Sequence, residues 1–348
     1  MMIMMKQLVV VLICVFAGIG AFGQLQTTHP TSTKRVVVAY VTSWTSVMPD
    51  PAYITHVNYA FGHVNDSFDG IRISNPDRLM ALTALKAAHP SLQVLLSIGG
   101  WGSGRFSEMA ASPEYRAAFA ADCRRVVDEF NLDGIDIDWE YPTSTAANIS
   151  ASPDDTENYT LLMQEIRKAI GTEKLLTLAS VASARYIDFK AIEPTVDFVN
   201  IMSYDMGNPP YHHAPLYRSA HVRGGSVDEG VQAHIAAGMP AHKLVLGIPF
   251  YGRSGKMGIP NFIHYRDILQ LTGYTSQWDD EARVPYLVNA EGEFICTYET
   301  PESIAIKCHY IHEQGLLGAM YWEYAGDTDE GTLQKAVFHG VHTTATAL

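Results

Sequence analysis

The chain has 348 residues, of which 24 are Lys or Arg and 37 are Asp or Glu, giving a formal charge of −13. At 47% hydrophobic and 18% charged, it can bury a large core and lies outside the range of disordered chains. The acidic balance excludes nucleic acid and stable association with an anionic membrane, since both need a positive footprint.

Met1 to Gly23 reads as a secretory signal peptide. Lys6 supplies the positive start, Leu8 to Phe16 the apolar run, and Ala21 and Gly23 the small residues before a cut at Gln24. The run is short and broken by Gly18 and Gly20, so it does not suit a membrane span. The mature chain is therefore expected in a secreted or periplasmic location.

From Lys34 onward, short apolar runs alternate with amphipathic stretches. The runs are Val36–Val41, Ile54–Phe61, Leu92–Ile98, Leu132–Asp138, Leu175–Ser180, Val196–Ser203, Leu244–Pro249 and Leu317–Trp322. Helical stretches fall at Asn75–Ala88, Pro113–Phe130, Asp154–Ile170, Val227–Ala237, Pro301–Gln314 and Gly331–His339. Eight such runs predict an α/β fold, a closed (β/α)8 TIM barrel, over residues 34–345. An open doubly wound sheet would carry a Gly-rich turn after its first strand, and here that turn reads Val41-Thr42-Ser43-Trp44. Residues 256–298 are read as a small insertion after the seventh strand, on the catalytic face.

The most informative string is Asp133-Gly134-Ile135-Asp136-Ile137-Asp138-Trp139-Glu140-Tyr141-Pro142. Strand side chains alternate, so Asp136, Asp138 and Glu140 share one face, and Ile135, Ile137 and Trp139 share the other. Alternate positions lie about 6.6 Å apart at the backbone. Three acids this close inside a barrel cannot all ionise cheaply, and at least one must hold a proton. Asp133 has the opposite parity and is expected to be structural. With no His or Cys at ligand spacing, neither metal nor cofactor is expected. Cys296 and Cys308 are near enough in sequence to pair, and whether they do is left open.

The string resembles the DxxDxDxE signature of glycoside hydrolase family 18, the chitinase family, whose members are (β/α)8 barrels. Other segments resemble that family in the same order: Ser97-Ile98-Gly99-Gly100-Trp101, Met202-Ser203-Tyr204-Asp205, Gly247 to Arg253, and Met320-Tyr321-Trp322-Glu323. The resemblance implies a secreted retaining chitinase acting on β-1,4-linked N-acetylglucosamine, as a monomer. In that scheme Glu140 is the acid, Asp138 orients the substrate's acetamido group, Asp136 shares a proton with Asp138, and Tyr204 holds the acetamido oxygen. Trp322 would floor the reacting sugar. Tyr40 and Ser97 would hydrogen-bond Asp136, Asp205 would meet the sugar or Arg253, and Trp101 and Tyr141 would lie on the aglycon side. Phe61 and Met202 complete the substrate-binding set, and Trp44 and Trp278 are candidates for an aromatic track.

His212 and His213 are expected to be solvated, as are Asp279, Asp280 and Glu281. The segment after the seventh strand is shorter than in many members of that family, which predicts a shallow, open cleft and internal cutting. An endo-β-N-acetylglucosaminidase acting on N-glycans and a non-catalytic oligosaccharide-binding barrel remain the alternatives.

Overall fold

A computed structural model describes residues 35–343, so the expected signal peptide lies outside the described residues. The strands are β1 (Val36–Thr42), β2 (His56–Val64), β3 (Ile71–Ile73), β4 (Gln93–Gly99), β5 (Gly134–Asp138), β6 (Leu175–Val181), β7 (Phe198–Met202), β8 (Leu244–Pro249), β9 (Tyr251–Ser254), β10 (Phe262–His264), β11 (Thr275–Asp279), β12 (Val284–Val288), β13 (Phe294–Thr297) and β14 (Gly318–Trp322). The α-helices are α1 (Pro76–Ala84), α2 (Phe106–Ala111), α3 (Pro113–Glu129), α4 (Asp155–Ile170), α5 (Phe189–Ile192), α6 (Val227–Ala236), α7 (Tyr265–Ile268), α8 (Pro301–Glu313) and α9 (Thr332–His342).

Eight parallel strands run in the order β1, β14, β8, β7, β6, β5, β4, β2, and β2 pairs with β1 to close the ring. This is the expected (β/α)8 barrel, and all eight predicted runs are barrel strands. Period-two alternation sorts the side chains. On β1, Val36, Val38 and Tyr40 turn into the barrel, while Val37, Ala39 and Val41 pack outward. Helix starts follow capping chemistry: Ser112 accepts from the Tyr115 N–H ahead of α3, and Ser226 with Glu229 forms a capping box on α6. Among the described residues no helix is long and apolar enough to cross a membrane.

Between β8 and α8 the chain forms a second sheet, antiparallel, in the order β10, β9, β13, β12, β11. The first strand of this sheet, β9, starts at Tyr251, a few residues ahead of the segment 256–298 read as the insertion. The sequence shows strand-like pieces at Pro285–Val288 and Glu293–Tyr298, which are β12 and β13. Polar strands such as Thr275–Asp279, whose first three residues are exposed, carry too little periodicity to announce the rest of this sheet. Cys296 on β13 and Cys308 on α8 are both buried free thiols, so the pairing left open by the sequence is absent.

One buried ion pair ties α8 to the loop after β7. The Lys307 ammonium donates to the Ala214 carbonyl at 2.7 Å and contacts Glu299, which also accepts from Ser303 at 2.6 Å. Neither charged side chain is more than 1% exposed. Lys307→Met leaves the Glu299 charge uncompensated and is expected to lower unfolding free energy by roughly 3–5 kcal/mol. Adding Glu299→Met should restore most of that loss. Urea unfolding of both variants checks the pair.

Candidate active site

Register brings the site together from neighbouring strands. Ser97 on β4 pairs with Asp136 on β5, which pairs with Thr177 on β6. All three point into the barrel, so Asp136 sits in a ring of donors. Its Oδ2 accepts from Tyr40 at 2.9 Å and Ser97 at 2.8 Å; its Oδ1 accepts from Thr177 at 2.6 Å and the Asn200 amide at 3.2 Å. Tyr40 and Ser97 were read from the sequence, but Thr177 and Asn200 were not. A usable signal existed: each is a polar residue at inward parity within an apolar strand.

Four donors fill the acceptor capacity of a carboxylate, which argues that Asp136 is ionised. Burial raises its pKa, while those hydrogen bonds oppose the rise. Asp138, two residues on, is 4% exposed, and its Oδ1 is buried with no hydrogen-bond partner among the described residues. Burial, then the Glu140 and Asp136 charges, push its pKa well above the ordinary carboxylate value. The proton of this pair therefore belongs on Asp138.

Glu140 lies just past the end of β5, at the C-terminal rim of the barrel. Burial pushes its carboxyl up to about 7, the Asp205 charge adds to the rise, and the Tyr141 hydroxyl opposes it. On the opposite parity, Trp139 stacks on Phe106 at 5.3 Å, which anchors the rim against α2. Asp133 accepts from the Val94 N–H and from Lys86, both at 2.8 Å, and so joins β5 to its neighbours away from the cavity.

The carboxylates open into a cavity of about 1150 Å³. Phe61 lies nearly parallel to Trp322 at 5.6 Å, Tyr40 lies 5.7 Å from Trp322, and Trp44 stands 6.3 Å from both Phe61 and Trp322. Trp101, 66% exposed, lies 6.4 Å from Tyr141, which stacks on Tyr186 at 5.3 Å. Tyr186 does not itself line the cavity; it backs Tyr141, and its loop gives no strand or helix pattern that would have placed it there. Met202 and Tyr204 also line the cavity. The Tyr204 hydroxyl reaches only the Met320 sulfur, at 3.9 Å, and burial keeps the phenol protonated, so a strong donor stays uncommitted. Tyr251, Arg253 and Phe262 of the second sheet supply another wall.

Asp205 meets Arg253 in a two-pronged pair, both bonds 2.7 Å. Burial would raise the Asp205 carboxyl, but His213 and Arg253 outweigh it and hold the group below its ordinary range. Trp278, by contrast, lies on β11 outside the cavity lining, so it extends no aromatic track.

Two further expectations are corrected. His212 and His213 are not solvated; they are 1% and 0% exposed because the following Ala214-Pro215-Leu216 run draws the loop inward. Asp279 is not a free acid of a solvated turn. It accepts from Ser219 at 2.7 Å, from the Ala282 N–H at 2.9 Å and faces His212 at 3.2 Å, closing the β11 end against that loop. Asp280 and Glu281 are exposed, as expected.

A protonated carboxyl at a barrel rim, a second carboxyl beneath it and an aromatic floor beside both define a saccharide-cleaving type of site. The model of the glycosyl hydrolases family 18 matches residues 36–327. The chain is 36% identical over 343 residues to chitinase A1 of Niallia circulans, covering 85% of this chain and 48% of that protein. It thus spans about half the length of that relative. Chitinase B of Serratia marcescens is 26% identical over 408 residues, covering 86% of this chain and 80% of the other. Among solved structures, a family 18 N-acetylglucosaminidase from Paenibacillus barengoltzii superposes with a TM-score of 0.81 at 34% identity, covering 88% of this chain and 99% of that one. The chain belongs to the glycosyl hydrolases family 18, a family of glycosidases.

Proposed function

We propose that this chain is a secreted chitinase that cuts β-1,4-linked N-acetylglucosamine chains internally, with retention of anomeric configuration. The observation that carries the reading is a Glu140 carboxyl raised to about 7, set beside a buried Asp138 with an uncommitted oxygen. Glu140 gives its proton to the glycosidic oxygen as the bond to the anomeric carbon breaks. The substrate's own acetamido oxygen closes on that carbon to form an oxazolinium ion. Asp138 accepts the acetamido N–H on its uncommitted Oδ1 and passes its own proton to Asp136, so that it faces the cation as a carboxylate. One of the ring hydroxyls around Asp136 (Tyr40, Ser97 or Thr177) turns from donor to acceptor to make room for that proton. Tyr204 donates to the acetamido oxygen and fixes its angle of attack. Water then opens the ring, Glu140 recovers a proton, and the starting configuration returns. Trp322 carries the reacting sugar, Trp101 and Tyr141 the leaving side, and Asp205 with Arg253 the adjoining wall. No metal or cofactor enters the scheme, and a single barrel suffices.

The small size of the second sheet supports internal cutting, and the apolar run before Gln24 supports secretion. The N-acetylglucosaminidase from Paenibacillus barengoltzii favours a second reading, release of single sugars, because the match spans nearly all of that chain. Chitopentaose and a high-mannose glycopeptide separate the readings by product mass. Disaccharide and trisaccharide from chitopentaose are expected from the first minutes. Monosaccharide alone would favour the second reading, and a cut glycopeptide would move the substrate to N-glycans. Binding without turnover would leave a lectin-like barrel.

A further inference from the structure

The loop after β7 buries two imidazoles that the scheme above does not use: His212, which faces Asp279, and His213. His213 is 0% exposed, and neither ring nitrogen has a hydrogen-bond partner among the described residues. Its Nδ1 stands 3.6 Å from Oδ1 of Asp205, just beyond hydrogen-bond length. Its place is otherwise fixed: the His213 N–H donates to Thr297 on β13 at 3.3 Å, its carbonyl accepts from the Met206 N–H at 2.9 Å, and its ring packs on Tyr251 at 5.3 Å. Asp205, with a φ of 58°, is thus flanked by Arg253 on its open side and by His213 on its buried side.

We propose that His213 is a positioning residue that acts through Asp205 to keep the Glu140 proton in place. A buried imidazole with two orphan nitrogens costs stability, and a packing role alone would be served better by an apolar ring. Aimed at Asp205, the same nitrogen closes the back of the Arg253 pair and stops the carboxylate turning away from the cleft. Asp205 then presents a fixed negative charge to Glu140, and that charge favours the protonated acid. The charged and titratable groups around His213 are Asp205 and His212 from its own loop and Tyr251 and Arg253 from β9; those around Glu140 are Asp138, Tyr141, Tyr204 and Asp205.

The inference rests on Glu140 as the acid, so pH profiles of kcat/KM on chitopentaose are compared for wild type, Glu140→Gln, His213→Phe, His213→Asn, Asp205→Asn and the double variant His213→Phe with Asp205→Asn. His213→Phe is expected to move the basic limb down by about half a pH unit. It should also lower kcat several-fold near pH 7 with KM little changed, while thermal stability holds or rises. His213→Asn, whose amide can donate from near the Nδ1 position, should keep most of the wild-type profile. The double variant should be no worse than Asp205→Asn alone. An unmoved basic limb in folded His213→Phe, or losses that multiply in the double variant, would overturn the role. Where His213→Phe does not fold, His213→Leu carries the same expectation. Glu140→Gln as active as wild type would sink the acid assignment itself, whereas Glu140-dependent turnover with an unmoved limb sinks only the role of His213.

Discussion

Glu140→Gln is expected to lower kcat on chitopentaose by roughly 10²–10⁴-fold, the usual contribution of a positioned general acid, while affinity for the oligosaccharide changes only a few-fold. Gln keeps the shape of the side chain and removes the proton. In wild type the basic limb of kcat/KM should fall near pH 7, because activity needs the protonated acid and that form is lost as pH rises through about 7. The same shift has a sign for stability. A carboxyl raised from 4.5 to about 7 stabilises the fold fully below pH 4.5, and that contribution disappears as pH climbs through 7. Glu140→Gln lacks this dependence, so at pH 8 it should be more stable than wild type by up to about 3 kcal/mol. Thermal melts at pH 5 and pH 8, beside the rate measurements, test both halves. Retained turnover, or a melting difference of opposite sign, would defeat the argument.

The second large effect is at Asp138. Asp138→Asn should lower kcat by roughly 10²–10³-fold, the range for loss of one group that meets developing charge. Stability should hold or improve, since a buried carboxyl with an unpartnered oxygen becomes a neutral amide. Asp136→Asn makes the contrast. There an NH2 would face donors on one side of the group, either Tyr40 and Ser97 or Thr177 and Asn200. A hydroxyl can turn to accept it but then leaves its own O–H without a partner, the Asn200 NH2 can only donate, and each bond so lost costs about 1–3 kcal/mol. Adjacent carboxylates on one strand should thus fail differently, one in rate with the fold intact and the other in both. Equal melting temperatures for the two variants would contradict the assignment of the shared proton to Asp138.

The barrel was legible because its strands are short, near-continuous apolar runs that alternate with amphipathic stretches, and the period of two along a strand put Asp136, Asp138 and Glu140 on one face. What stayed hidden depends on contacts distant in sequence. Thr177 and Asn200 read as stray polar residues until register sets them around Asp136. His213 looked like part of a polar loop; the Ala214-Pro215-Leu216 run draws that loop inward, but its burial is completed by Tyr251 of β9 and Thr297 of β13, contacts distant in sequence. Trp278 failed for the reverse reason: an aromatic in the right segment lies on β11, at the edge of the second sheet away from the cavity.

Among the described residues three thiols are unpaired, each in a different part of the fold: Cys123 on α3, Cys296 on β13 and Cys308 on α8. Burial raises the pKa of each, Cys296 and Cys308 to about 12. None can react with an alkylating reagent until its own neighbourhood opens. Without any added label, the chain therefore carries separate reporters of local breathing for the helical shell, the second sheet and the α8–α9 face. None of the three takes part in a crosslink, so these regions need no oxidant to reach their final packing.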